Sequence, residues 1–242
     1  METTLHRQLK SLYAADSQSC EVRLGNFRID AVQAHQLVEI QHGSLSAISP
    51  KIRCLLDQGH NVLVVKPLAA RKMLVKRQRR GGRIISKRYS PTRASVFDLF
   101  LDLVHFVKVF PHPQLSLEVL MTEQEEHRLP PLARHRRRKG YRIEDRVLQN
   151  IQSRLSLRTA ADLSKMLPEQ IMQPFSTANI ASAVEVPLWL AQKIAYCLRE
   201  TGAIQHIGKR GNSLLYRFAH ENPAATTERN SGPVAVAPAI AR

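Results

Sequence analysis

Apolar positions along this chain recur with two periods, and the switches between them predict its elements. Leu5, Leu9, Leu12 and Tyr13 share one face of a helix over residues 3–15. Three short runs follow, Glu21–Leu24, Phe27–Val32 and Gln36–His42, and Gly25-Asn26 between the first two is a two-residue hairpin signal. Leu45, Ile48, Ile52, Leu55 and Leu56 return to helical spacing across residues 45–58. Asn61–Lys66 is then a continuous apolar run, as in a strand buried on both faces. Helix, three strands, helix, strand is an α/β order, and its second helix serves as a crossover onto a parallel neighbour.

Further on, Met73–Gln78 and Arg83–Arg88 flank Gly81-Gly82 as a second hairpin. Val96–Phe110 reads as a mostly buried helix, with Asp98, Asp102, His105 and Lys108 on its one polar stripe. Leu115–Thr122 reads as a strand, the charged residues 123–146 as a loop, and residues 143–167 as a helix bridging two domains. Ser176 is placed to cap a short helix over 177–184, Pro187 to open a longer one over 188–200, and Gly202 to close it. Ala203–Ile207 and Leu214–Phe218 flank a basic hairpin tip at 208–213. From about Glu221 the chain is rich in Ala, Pro and Thr, with too little to bury, and disorder is expected there.

Charge narrows the partner. Lys and Arg outnumber Asp and Glu by 36 to 20, a formal net charge of +16, which favours a polyanion, and nucleic acid is the common one. A basic amphipathic anchor, a lipidation signal and an apolar leader region are absent from the sequence, so no membrane role and a cytoplasmic location are expected. The three cysteines form no C-x-x-C pair, which argues against a zinc knuckle or disulfide framework and fits a reducing compartment. No H-E-x-x-H or Walker A pattern occurs. Between Lys66 and Arg93 lie eleven Lys or Arg and no acid. That run is either a solvated edge that discourages aggregation or a phosphate-binding surface carried by Lys72, Lys76, Arg77, Arg79, Arg80, Arg83, Lys87 and Arg88. Trp189 and Tyr196 are expected to pack in the core.

The candidate chemistry lies on the second and third runs. Paired as a hairpin, they bring Asp30 and Glu39 together at one end of the sheet. With the backbone carbonyl of Ile40, they make an oxygen-rich site for Mg²⁺ or Mn²⁺. The plain alternative is that both acids simply face solvent.

Arg28-Ile-Asp30, eight intervening residues and Glu39-Ile-Gln41, set in helix–strand–strand–strand–helix–strand, resemble the PD-(D/E)XK nuclease superfamily. Residues 42–51 further resemble a bacterial family whose strand ends in Glu-Ile-Gln. The resemblance implies a restriction-endonuclease-like αβββαβ core with a mixed sheet over residues 1–125. The final elements, helix, turn, helix and a two-stranded wing, resemble a winged-helix domain over 158–219, after a basic linker and bridging helix at 126–157 and before a disordered tail at 220–242. The implied activity is metal-dependent hydrolysis of phosphodiester bonds, with DNA as the partner. Gln41 stands where the superfamily carries Lys, so the resemblance assigns it the attacking water and lets Lys51, from the next helix, supply the missing charge. Glu2 is the one candidate for a further metal-binding acid from the first helix. Gln192, Lys193, Lys209 and Arg210 would contact DNA from the winged helix. Gln41 also keeps open a catalytically inactive, DNA-binding regulator or scaffold. Whether the chain forms a homodimer is open too.

Overall fold

The computed structural model describes residues 2–131 and 140–219; the basic run 134–139 and the tail expected to be disordered lie outside them. The architecture is α/β around a mixed seven-stranded sheet. Helix α1 (Thr4–Tyr13) precedes the meander β1 (Cys20–Leu24), β2 (Phe27–Gln33) and β3 (Gln36–Ile40). A 3₁₀ turn and α2 (Ser49–Asp57) then cross over to β4 (Asn61–Arg77), which runs parallel to β3. β4 turns back as β5 (Ile84–Tyr89). On its other side it pairs in parallel with β6 (Leu115–Leu129), and β7 (Arg142–Leu157) closes that side antiparallel to β6.

Two apolar layers hold the sheet. Leu5, Leu9 and Tyr13 of α1 cover Ala31, Val38, Ile40, Leu63, Val65 and Leu120, and burying each such leucine contributes about 2 kcal/mol. The opposite face buries Leu37, Val62, Val64, Leu117 and Val119 beneath Ile52, Leu55 and Leu56 of α2 and the segment Leu99–Phe110. Proline in a central strand would sacrifice a ladder hydrogen bond. Pro67 avoids the loss because β3 has already ended at Ile40, opposite Val65, so no strand remains there to accept from it.

Several expectations change. The strands starting at Asn61 and Leu115 are 17 and 15 residues long, far beyond Lys66 and Thr122. The expected loop at 123–146 and the bridging helix at 143–167 are largely β6 and β7, so the stretch 126–157 belongs to the sheet wherever it is described. The register of β7 against β6 slips three times, each time with an extra residue on β7. Every such bulge flips the alternation of faces. Ile143, Val147, Ile151 and Leu155 lie four apart, a spacing that reads as helical, but opposite Arg128, Glu125, Thr122 and Val119 the bulges send successive members to alternate faces of the sheet. The apolar stretch at 96–110 is also not one helix. It is a 3₁₀ turn, Val96–Leu99, the single turn α3 (Phe100–Leu103), and then i to i+3 turns that drop Phe106 and Phe110 into the core.

The C-terminal part comprises α4 (Ala160–Ser164), α5 (Thr177–Ala183), α6 (Leu188–Glu200) and the hairpin β8 (Ile204–Arg210) with β9 (Ser213–Phe218). Ser176 caps α5 through a reciprocal box with Asn179, and Gly202 takes a positive φ just past α6. Leu190, Ile194 and Leu198 of α6 join the same apolar cluster as the sheet. Among the described residues, no helix is long and apolar enough to cross a membrane.

Candidate active site and basic surface

The site forms where β2 and β3 part. Their ladder ends at Ala31 opposite Val38, one step short of Asp30 and Glu39. A continued antiparallel ladder would give the Ile40 N–H to a β2 carbonyl. Instead it donates to Asp30 Oδ2 at 2.8 Å. Asp30 thus occupies the gap between the strands. The Ile40 carbonyl, on the same side of β3 as its N–H, faces this gap as well. From one face of the sheet, His6 on α1 reaches Asp30 Oδ1 at 3.1 Å. From the other, Lys51 on α2 reaches Glu39 Oε1 at 2.5 Å and the Arg28 carbonyl. The two acids do come together at one end of the sheet, though each is clasped by a different helix.

Their titration reflects this. Burial would raise the Asp30 carboxyl, but the His6 and Ile40 hydrogen bonds and the Lys51 charge outweigh it and hold the group below its usual range. Burial dominates at Glu39 and raises it. The Asp30 charge adds to the rise, while Lys51 and the Asp30 backbone N–H oppose it. Glu39 is only 5% exposed, which rules out the solvent-facing alternative for that residue.

Four residues of the site were not picked out from sequence. His6 lies 3.7 Å from Glu2, which also pairs with Lys10, so Glu2, His6 and Lys10 form an i, i+4, i+8 polar stripe on α1. That periodicity was readable. His42 packs its ring against His6, with centroids 5.5 Å apart, and its Nε2 is buried without a hydrogen-bond partner. Burial, then the charges of His6, Arg146 and Lys66, push His42 down to about 4. Lys66 is buried against Asp102 at 2.7 Å and the Gly43 carbonyl at 2.5 Å, tying the loop after β3 to α3. Arg146 comes from β7, which sequence had assigned to a helix.

Gln41 departs from its expected role. Its amide donates to the Ser44 carbonyl at 2.7 Å, bracing the turn into α2. Lys51 does reach Glu39. Among the described residues no group of three or more His, Cys, Asp or Glu side chains is arranged to hold a metal ion.

The expected phosphate-binding residues divide. Lys72 pairs with Glu126, Lys87 with Glu125, Arg80 lies 3.8 Å from Glu144, and Arg77 donates to the Gly82 carbonyl. Lys76, Arg79, Arg83 and Arg88 are exposed. On the C-terminal part, Gln192, Lys209 and Arg210 are exposed and Lys193 is half-buried. Trp189 and Tyr196 are not core residues. At 54% and 38% exposed they share one outer stripe of α6 with Gln192 and Lys193, because the buried stripe is filled by Leu190, Ile194 and Leu198.

Residues 3–158 match the model of a family described as "Domain of unknown function (DUF8091)". The segment spans the sheet and every residue of the gap except Glu2. The chain is also similar to a Treponema pallidum (strain Nichols) protein named "Uncharacterized protein", 28% identical over 218 residues, which cover 89% of this chain and 85% of that one. No solved structure matches.

Proposed function

This chain belongs to the DUF8091 family, and from the gap that the family's segment builds we propose that it is a metal-dependent nuclease of PD-(D/E)XK type, hydrolysing phosphodiester bonds in DNA. The observation that carries this reading is the Lys51 ammonium on the Glu39 carboxylate beside Asp30, which returns the cation that Gln41 lacks. The splayed strand pair between helices on opposite faces agrees with the restriction-endonuclease-like core that the sequence suggested. The arrangement of α5, α6 and the β8–β9 hairpin agrees with a winged helix.

The residues fit a hard divalent cation. Asp30 and Glu39 repel one another, as the rise of Glu39 in the field of Asp30 registers, and a cation between them would relieve this. Mg²⁺ commonly takes one or two carboxylates and completes its shell with water and substrate phosphate, so a third protein acid is not needed. Asp30, Glu39 and the Ile40 carbonyl would hold it, and Mn²⁺ would serve equally. Bound there, the metal would supply Lewis-acid polarisation of the phosphate and a more acidic water. The protein's own share is definite. His6 and the Ile40 N–H orient Asp30, and Lys51 orients Glu39 and sets a positive charge beside the phosphate as negative charge develops. Gln41 acts by bracing the loop.

A second reading, a DNA-binding protein without catalysis, draws on Gln41 being spent on Ser44 and on both carboxylates already having side-chain partners, His6 and Lys51. Incubation with supercoiled plasmid in Mg²⁺, Mn²⁺ or EDTA separates the two. The nuclease reading expects metal-dependent cleavage that falls by about 10²-fold or more in Asp30→Ala, Glu39→Ala and Lys51→Ala while DNA binding persists. Binding without cleavage by the wild type in either metal would leave the second reading standing.

A further inference from the structure

The outer half of the sheet, where β4, β5, β6 and β7 extend beyond the α1 layer, carries a pocket remote from the gap. The alternation that puts Leu120 beneath α1 puts Gln124, Glu126 and Arg128 on that same face, with Leu74 and Lys76 beside them on β4 and Arg88 and Ser86 on β5. Lys76, Arg88, Arg128, Ser86, Leu74 and Tyr141 line the pocket. The Arg128 guanidinium lies 3.7 Å over the Tyr141 ring, which fixes its direction. Within this region the buried acid on that face is Glu126, already taken by Arg128 at 2.6 Å, Arg146 at 3.2 Å and Lys72 at 3.7 Å. One carboxylate cannot neutralise three cations, and Lys76 and Arg88 bring further positive charge without an ion pair among the described residues.

We propose that this pocket is a second phosphate-binding site that anchors the nucleic-acid backbone about one helical turn from the gap, so that the protein engages long duplexes at two points. The proposal rests on the nucleic-acid reading above. Lys66, level with the end of β3, and Lys76 are ten residues apart on β4, one of them bulged out, which spans roughly 30 Å at about 3.3 Å per residue. A duplex rising about 3.4 Å per base pair covers that distance in about nine pairs. Arg146, which pairs with Glu126 and contributes to the field at His42, lies between the two points.

The test is fluorescence anisotropy in EDTA with hairpin duplexes of about 6 and about 16 base pairs over a series of salt concentrations. The wild type should bind the longer duplex at least about tenfold more tightly. In a Lys76→Ala/Arg88→Ala variant that ratio should collapse to a few-fold. Its salt slope on the longer duplex should be shallower by about two, near 0.9 for each lost phosphate contact. Both positions are exposed, so an unchanged melting temperature verifies the fold. A variant that keeps the wild-type ratio and slope overturns the second site, as does a wild type with no such ratio. Failure of the nuclease reading would appear separately, as absent cleavage in Mg²⁺, and would leave these binding ratios unmoved.

Discussion

Glu39 and Glu126 are both buried glutamates on the same sheet, yet their surroundings push them in opposite directions. Glu126, 2% exposed, faces Lys72, Arg128 and Arg146; burial would raise it, but the three cations hold it below the usual range. Glu39, 5% exposed, has one cation, Lys51, and a neighbouring anion, Asp30; burial and that anion together hold it above the usual range. The first is an over-compensated anion, and its region has positive charge to spare. The second is an under-compensated anion. On the proposed function, the first region would favour a phosphate and the second a metal ion.

The largest test of this contrast is stability at pH 7. Glu126→Gln should lose roughly 3–4 kcal/mol in urea denaturation, because a buried anion is withdrawn from three fixed cations. Glu39→Gln should be neutral or stabilising, since it relieves desolvation and the repulsion from Asp30 even as it loses Lys51. The pH dependence sharpens the difference. A carboxyl whose folded pKa is lowered contributes stability above its unfolded value and loses it as pH falls, so wild type and Glu126→Gln should converge as pH drops through and below 4.5. For Glu39 the folded value is raised. Its ionisation therefore costs stability above that value, and wild type should gain on Glu39→Gln as pH falls from neutrality. Equal losses in the two variants at pH 7 would erase the distinction.

His42 reports on both ends, because its depression to about 4 owes most to burial and then to His6, Arg146 and Lys66. The unfolded chain takes up the His42 proton near 6.5, whereas the folded protein resists until about 4, so stability should fall between those values by on the order of 3 kcal/mol. His42→Phe should flatten that limb of the stability–pH curve. A further step, Arg146→Gln, should shift the His42 titration upward in NMR. No shift there would mean that the Glu126 region does not reach the gap electrostatically.

Sequence revealed most where one period held and least where bulges or distant strands intervened. The meander and the approach of Asp30 to Glu39 followed from strand runs around short turns, and α2 as a crossover followed from helical spacing between two strands. The contact of Lys51 with Glu39 depends on where α2 sits, and helical spacing from Leu45 onward did not show that a 3₁₀ turn precedes that helix. β7 was misread because its apolar residues are four apart, a helical spacing, and three bulges that send them to alternate faces hide the period of two that would mark a strand. With it went Arg146 and the Glu126 cluster, whose partners are some twenty to fifty residues apart in the chain. Lys66 looked like one more member of a basic run, and only the fold brings Asp102 to it. Gln192 and Lys193 on the outer stripe of α6 were named from sequence, but Trp189 and Tyr196 were placed in the core because an aromatic at helical spacing fits either side of an amphipathic helix equally well.

The smallest expected effect concerns that stripe, which has no buried charge at its centre. Trp189 is 54% exposed, so Trp189→Ala should change stability by no more than about 0.5 kcal/mol. Its neighbour Leu190, 3% exposed, should cost about 2–5 kcal/mol when truncated to Ala, since it packs into the shared core. If α6 meets DNA as a winged helix would, Trp189→Ala should weaken duplex binding several-fold, and by a similar factor at low and high salt, because an aromatic contact releases no counterions. The Lys76→Ala/Arg88→Ala variant should instead lose affinity mainly at low salt. A Trp189→Ala protein whose DNA affinity matches wild type at every salt concentration would move α6 out of the nucleic-acid surface and leave the sheet as the whole of it.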